Sequence, residues 1–316
     1  MPTRQKTVHD ALLSPMLCPG DRVRLVSPAS RPDRAWHTKS VAILEGWGLE
    51  VEVGDHAIDT WGYMAGRDED RLSDLNEAFR DRGVRAIVTT TGGAGAYRIA
   101  DGIDFDAVRA DPKPLVGFSD ITALHLVLGD RCGLACIHGC LAGERATASV
   151  RQLLMSTEPL TLHRDPNALS AAIRVSGSAA GPLIGGNLRT VACSIGAGLP
   201  SLDGAILLLE DERTRGLGQV DRELTHLSRS GSLDGVQAIA LGLFTGFDGY
   251  TDRGWDVLDV LEDRLGRLGV PVMGGLQLGH GGVGSDGGPD QFAVTLGATA
   301  VLDTSTGTLR VGPCVR

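Results

Sequence analysis

The feature that most constrains this chain is the regular alternation of short apolar runs with amphipathic segments over residues 22–132. "RVRLVSPAS" (22–30) reads as a strand leaving into a polar loop, and "HTKSVAILEGWG" (37–48) as a helix stopped by glycine. "EVEVGDH" (50–56) is the next strand, and "GRDEDRLSDLNEAFRD" (66–81) a helix with Leu72, Leu75 and Phe79 on one stripe. "VRAIVTTTGG" (84–93) and "PLVGFSD" (114–120) are further buried strands, and "ITALHLVLGD" (121–130) the helix after them. Strands alternating with helices through short connections predict a parallel sheet covered on both faces.

The pattern changes near residue 140. "GERATASVRQLLMST" is helical in character, and "RDPNALSAAIRVSGSAAGPLIGGN" carries turn residues and short strands. At 316 residues the chain exceeds the usual size of one core, so two domains are expected. We place the first at 1–145, a crossover linker at 146–182 and a second α/β domain at 183–316. The second contains the strand "AILLLE" (205–210), the helix "QVDRELTHLSRSG" (219–231) and the strand "VQAIALGLF" (236–244). The helix "WDVLDVLEDRLGRLG", the strand "VPVMGGLQLGH" (270–280) and a hairpin over "FAVTLGATAVLDTSTGTLRV" (292–311) follow.

Composition removes several function classes. The formal charge is −9 with no long Lys/Arg block, which argues against nucleic acid as a partner. No apolar run is long enough to span a bilayer, and residues 1–20 lack the apolar centre of a signal peptide, so a cytoplasmic protein is expected. Cys132, Cys136 and Cys140 recur at intervals of four, with His125 and His138 nearby. The segment passes from helix into strand, so the thiols need not share a face, and we expect buried thiols rather than a metal site.

Ligands of an open parallel sheet sit beyond the carboxyl ends of its strands. Four polar clusters fall there: Thr91-Gly92-Gly93-Ala94-Gly95, Gly117-Phe118-Ser119-Asp120, Glu210-Asp211-Glu212 and Gly279-His280-Gly281-Gly282. A hydroxyl, a carboxylate and an imidazole at strand ends are the inventory of a nucleophile, its base and the group orienting the base. Each also has an ordinary explanation. Ser119 or Asp120 suits a helix N-cap, the glycines suit a tight turn, and strand-end acids are commonly solvated. The glycine run lacks the third glycine of a dinucleotide fingerprint, and "GFSD" is not the G-x-S-x-G elbow.

Several pieces recur in one order. They are "VSPAS" (26–30), "GYMAGRDEDRLSDL" (62–75), "IVTTTGGAGAYRI" (87–99), "DFDAVRADPKPLVGFSDITALH" (104–125), "IHGC" (137–140), "LIGGNL" (183–188), "AILLLEDE" (205–212) and "VPVMGGLQLGHG" (270–281). On these the chain resembles the LD-carboxypeptidase family of serine peptidases, which includes the microcin C immunity peptidases. The resemblance implies a flavodoxin-like N-terminal sheet with flanking helices, carrying Ser119 as nucleophile. It implies a C-terminal mixed α/β domain supplying Glu210 as orienting acid and His280 as base. The oxyanion hole would be the amides of Gly93 and Asp120. No metal or organic cofactor is implied; a homodimer acting on a small peptide is.

The implied activity is hydrolysis of an L,D-peptide bond near a C-terminus, releasing D-Ala from a muropeptide tetrapeptide. The alternative is an immunity peptidase cleaving peptidyl- or aminoacyl-nucleotides; a remoter one is a non-catalytic ligand-binding module. The glycine loop of the family usually opens with arginine, where this chain has Thr91. Thr91, Gly92, Arg213 and Arg215 are the candidates to meet the substrate.

Overall fold

The computed structural model describes residues 11–281 and 291–316. Residues 1–10 of the N-terminal reading and Gly282 of the last glycine cluster lie outside that range. The first half alternates as its sequence pattern predicts: β1 (Arg22–Val26), α1 (Arg34–Gly46), β2 (Glu50–Val53), α2 (Asp68–Arg80) and β3 (Val84–Thr89). After these come α3 (Ala96–Ile99), α4 (Phe105–Ala110), β4 (Leu115–Gly117), α5 (Thr122–Cys132) and β5 (Cys136–His138).

The five strands pair in parallel in the order β2-β1-β3-β4-β5. This is the flavodoxin-like order, whose strand direction of travel reverses between β1 and β3 and opens a crevice there. Successive residues of a buried strand face opposite sides, which explains the near-continuous apolar runs. Ala86 and Val88 of β3 join one core, whereas Ile87 between them joins another with Leu75, Phe79 and Leu124 from the helices.

Most of the remaining elements build a second sheet and its flanking helices. In chain order they are α6 (Glu144–Met155), β6 (Leu160–His163), β7 (Arg174–Val175), β8 (Ser178–Asn187), α7 (Leu188–Cys193), β9 (Ile206–Glu212) and α8 (Leu217–Arg229). They continue with β10 (Ala238–Thr245), α9 (Val257–Leu265), β11 (Val272–Met273), β12 (Val294–Leu296), β13 (Thr299–Asp303) and β14 (Thr308–Val311). The sheet runs β6-β14-β13-β8-β9-β10-β11-β7, with β8, β9, β10 and β11 parallel to one another. Leu207, Leu209, Ile239 and Leu241 pack under Leu188, Leu224 and Leu261 of the flanking helices. Ile206, Leu208, Ala238 and Ala240, on the opposite face, share one apolar cluster with Val23, Leu25 and Val116 of the first sheet. That common core holds the two sheets in fixed relation.

Three expectations about segments change. The 146–182 linker carries most of α6, all of β6 and β7 and the first residues of β8, so it contributes strands to the second sheet. The strand expected over 270–280 shrinks to two residues. Gly274 lies so close to the Ser170 backbone that no side chain fits, and Gly275 turns at φ 93°. The hairpin expected over 292–311 forms only from β13 onward, because Gly297 (φ 85°) breaks the run and β12 pairs antiparallel with β5 instead.

Candidate active site

The carboxyl ends of both sheets converge on one cavity of about 530 Å³. β4 ends at Gly117, where any side chain would overlap Thr89 and Ile121. Phe118 is extended, and Ser119 then adopts φ 62°, in the left-handed region that L-residues enter at a cost of about 1–3 kcal/mol. The chain makes one 3₁₀ turn, Ser119–Ile121, and continues as α5. The Ser119 hydroxyl makes no capping bond to that helix.

Asp120 does cap, but a different helix. Its Oδ2 accepts the Ala96 amide of α3 at 2.7 Å, and the Gly95 amide also bonds to the carboxylate. Burial lifts its pKa to about 6, against the lowering effect of those amides. The carboxylate thereby ties the glycine loop to the serine turn. Gly92 passes so close that a Cβ there would sit 2.7 Å from Ser119 Cβ. Gly93 (φ 96°) packs on the Ser30 hydroxyl, which accepts the Ala94 amide at 3.1 Å. Beneath the loop, the fully buried guanidinium of Arg71 donates to the carbonyls of Pro28 and Gly95.

Glu210 lies in β9 opposite Asn187 of β8 and is completely buried. Its Oε2 accepts both the His280 amide at 2.9 Å and His280 Nδ1 at 2.7 Å. A carboxylate facing Nδ1 holds a proton there, so in the neutral ring Nε2 is the acceptor, 3.1 Å from Ser119 Oγ. Burial alone would push the Glu210 carboxyl up, but the facing His280 outweighs it and the net direction is down. For His280, burial disfavours the charged ring, yet the Glu210 carboxylate wins and raises it to about 9. The imidazole is also held by the Phe118 ring at 5.0 Å, and the His280 backbone carbonyl accepts the Thr245 hydroxyl.

Gly279 (φ 99°) brings the imidazole onto the acid, since a methyl at that position would overlap the Glu210 carboxyl. Gly279→Ala is therefore expected to cost about 1–3 kcal/mol of stability from overpacking. Displacing the ring by about 1 Å should lower any activity at this site about 100-fold. Thermal melts and turnover of the variant measure both; an unchanged turnover number would mean that the imidazole's placement is immaterial.

The structure brings Ser119, Glu210 and His280 into one hydrogen-bonded chain, with Thr91, Gly92, Gly93 and Asp120 on the cavity wall beside them. It does not bring in Arg213 or Arg215. Arg213 stacks on Tyr250 at 4.3 Å and donates to the Gly246 carbonyl, while Arg215 is exposed; neither lines the cavity. The sequence reading passes over Arg189, which does line it, together with Asn187, Thr190 and Tyr97. "GGNLRT" at the end of β8 is the available signal, a fifth strand end followed by polar residues. Cys132, Cys136 and Cys140 stand at a helix end, in a strand and in a loop, each against a different partner. Among the described residues no three His, Cys, Asp or Glu groups gather in a metal-ligating cluster.

Comparison with known proteins agrees with this fold. The LD-carboxypeptidase N-terminal domain pattern matches residues 23–139, and the LD-carboxypeptidase C-terminal domain pattern matches residues 180–302. A Streptomyces coelicolor protein bearing a carboxypeptidase name is 37% identical over 308 residues, 93% of this chain and 94% of its own length. The murein tetrapeptide carboxypeptidase of Pseudomonas aeruginosa is 32% identical, covering 89% of this chain and 93% of its own. Among solved structures, an MccF-like protein of Bacillus anthracis superposes with a TM-score of 0.84 at 24% identity, over 96% of this chain and 100% of the other.

Proposed function

The chain belongs to the LD-carboxypeptidase family, and from that premise we propose that it is a serine carboxypeptidase that releases D-Ala from muropeptide tetrapeptides. The observation that carries the serine mechanism is the Ser119–His280–Glu210 chain of hydrogen bonds, assembled from the ends of two different sheets. His280 Nε2 takes the hydroxyl proton as Ser119 Oγ attacks the scissile carbonyl carbon. The tetrahedral oxyanion is stabilised by the amides of Gly93 and Asp120, which line the cavity next to the serine. Collapse breaks the C–N bond, and His280 gives its proton to the departing amine. Water, deprotonated by the same imidazole, then hydrolyses the acyl-serine. Glu210 holds the ring in the productive tautomer and stabilises its charged form.

The substrate assignment is supported by the relative from Pseudomonas aeruginosa, named for action on a murein tetrapeptide. A second reading, cleavage of aminoacyl nucleotides, draws on Tyr97, a half-exposed aromatic on the cavity wall against which a base could stack. No described helix is long and apolar enough to cross a membrane. Mass spectrometry of the protein incubated with L-Ala-γ-D-Glu-meso-Dap-D-Ala separates the readings. Loss of the terminal D-Ala is the expected result. An intact tetrapeptide, with the serine still reactive to a fluorophosphonate, would discard this substrate and turn the search to aminoacyl nucleotides.

A further inference from the structure

We propose that Arg189 forms the subsite for the free carboxylate of the departing residue. The inference rests on the carboxypeptidase reading above and identifies what makes the site act at a chain end. An exopeptidase distinguishes a terminus from an internal peptide by its carboxylate, and a partly buried carboxylate needs a cationic partner. Among the described residues lining the cavity, Arg189 is the only lysine or arginine. The other titratable groups lining it are the carboxyl groups of Asp120, Asp211 and Glu212, which repel a substrate carboxylate, the Tyr97 phenol, and His280, which is engaged by Glu210.

The guanidinium is held rather than free. Its Nε donates to Glu223 Oε1 at 3.2 Å and its Nη2 to Thr214 Oγ1 at 3.1 Å. Glu223 is buried and is itself steadied by Gln219 Nε2 at 2.7 Å. Two contacts fix the plane of a group that has five N–H donors, leaving others for a ligand in the fork geometry that matches a carboxylate. The Arg189 side chain retains 35% of its exposure, so it is accessible from the cavity.

Its side of the cavity is also the right one. Arg189 bonds Thr214, which follows Glu212 by two residues, and Glu212 Oε2 approaches His280 Nε2 at 4.0 Å. His280 delivers its proton to the leaving amine, so the residue beyond the scissile bond lies along this wall. The Ser119 and glycine-loop wall receives the acyl carbonyl. The carboxylate that follows the leaving amine is thereby directed towards Arg189.

The test compares kcat/KM for the murein tetrapeptide and for its C-terminal carboxamide in the wild type, Arg189→Gln and Arg189→Lys. The wild type is expected to favour the free acid about 10- to 100-fold, the range of a charge-assisted hydrogen-bonded pair. Arg189→Gln should lose that preference through a higher KM for the acid, so that acid and carboxamide are cleaved with similar kcat/KM. Arg189→Lys, which keeps the charge but not the fork, should fall between them. It keeps a charged partner for Glu223, and it carries the test alone if the glutamine variant does not fold. Either variant retaining the full wild-type preference overturns the subsite, as does a wild type that cleaves acid and amide equally; in both cases the carboxypeptidase reading stands. A wild type that labels with fluorophosphonate but releases D-Ala from neither peptide overturns the substrate reading, and the subsite with it.

Discussion

Ser119→Ala is expected to lose turnover by on the order of 10⁶-fold, with no loss of stability. On the proposed mechanism the size follows from the serine acting as part of a unit: without the hydroxyl no acyl-enzyme forms, and only the amides of Gly93 and Asp120 would remain to act on a substrate. Stability should be retained because alanine keeps the Cβ, so the left-handed backbone at φ 62° is neither strained further nor relieved. Asp120 still caps α3, and the hydroxyl caps nothing. Ser119→Gly sharpens the expectation. It removes the same hydroxyl but also the Cβ that makes this backbone costly, so it should be about 1 kcal/mol more stable than Ser119→Ala while equally inactive. Wild-type turnover surviving in either variant would remove Ser119 from the mechanism. A glycine variant less stable than the alanine one would mean the left-handed turn stores no strain.

The first sheet was legible in the sequence because its signals are local. Apolar runs that end in glycine, and helices with a single stripe such as Leu72, Leu75 and Phe79, declare themselves within a dozen residues. Ser119 was visible for the same reason, as a hydroxyl stranded between a strand and a helix. Its backbone angle was not visible, since φ 62° is imposed by Gly117 packing on Thr89 and Ile121 and by Gly92 lying against its Cβ. Apart from Ile121, those are contacts with other strand ends. Glu210 and His280 read only as strand-end groups until the family resemblance paired them; 161 residues separate His280 from Ser119. Arg213 drew attention because it follows Glu210 closely, but Tyr250 and the Gly246 carbonyl, from another loop, take its guanidinium. Arg189 was overlooked because its place on the cavity wall depends on the β8–β9 register. Buried Arg71 was hidden likewise: the helix pattern says which face is apolar, not that a carbonyl-lined pocket awaits a cation inside it.

Glu210→Gln is expected to lower kcat about 10³- to 10⁴-fold and to move the pH dependence as well, which separates its role from that of a packing residue. In the wild type, His280 Nδ1 and the His280 amide both donate to Glu210 Oε2. A glutamine side chain there offers the ring either an amide nitrogen, favouring the wrong tautomer, or a neutral oxygen that stabilises the imidazolium far less. The sign of the pH effect follows from the competing forces on the ring. Burial lowers the His280 pKa and the Glu210 carboxylate raises it, to about 9 from the ordinary 6.5. The base must be neutral to accept the serine proton, so wild-type kcat/KM should climb with pH towards an alkaline limit. With the carboxylate neutralised, burial dominates and the acid limb should shift to lower pH by about 1–3 units. Stability follows the same linkage. A raised folded-state pKa means the pair's contribution is fully present below the ordinary histidine value and lost as pH rises through about 9. The stability gap between wild type and Glu210→Gln should therefore be widest in neutral and acid solution, until Glu210 itself protonates, and should narrow above about pH 9. A kcat/KM profile whose acid limb coincides with that of the wild type would show that Glu210 does not set the proton affinity of His280. The ring would then owe its basicity to Glu212 and Asp211, the other carboxylates that raise it.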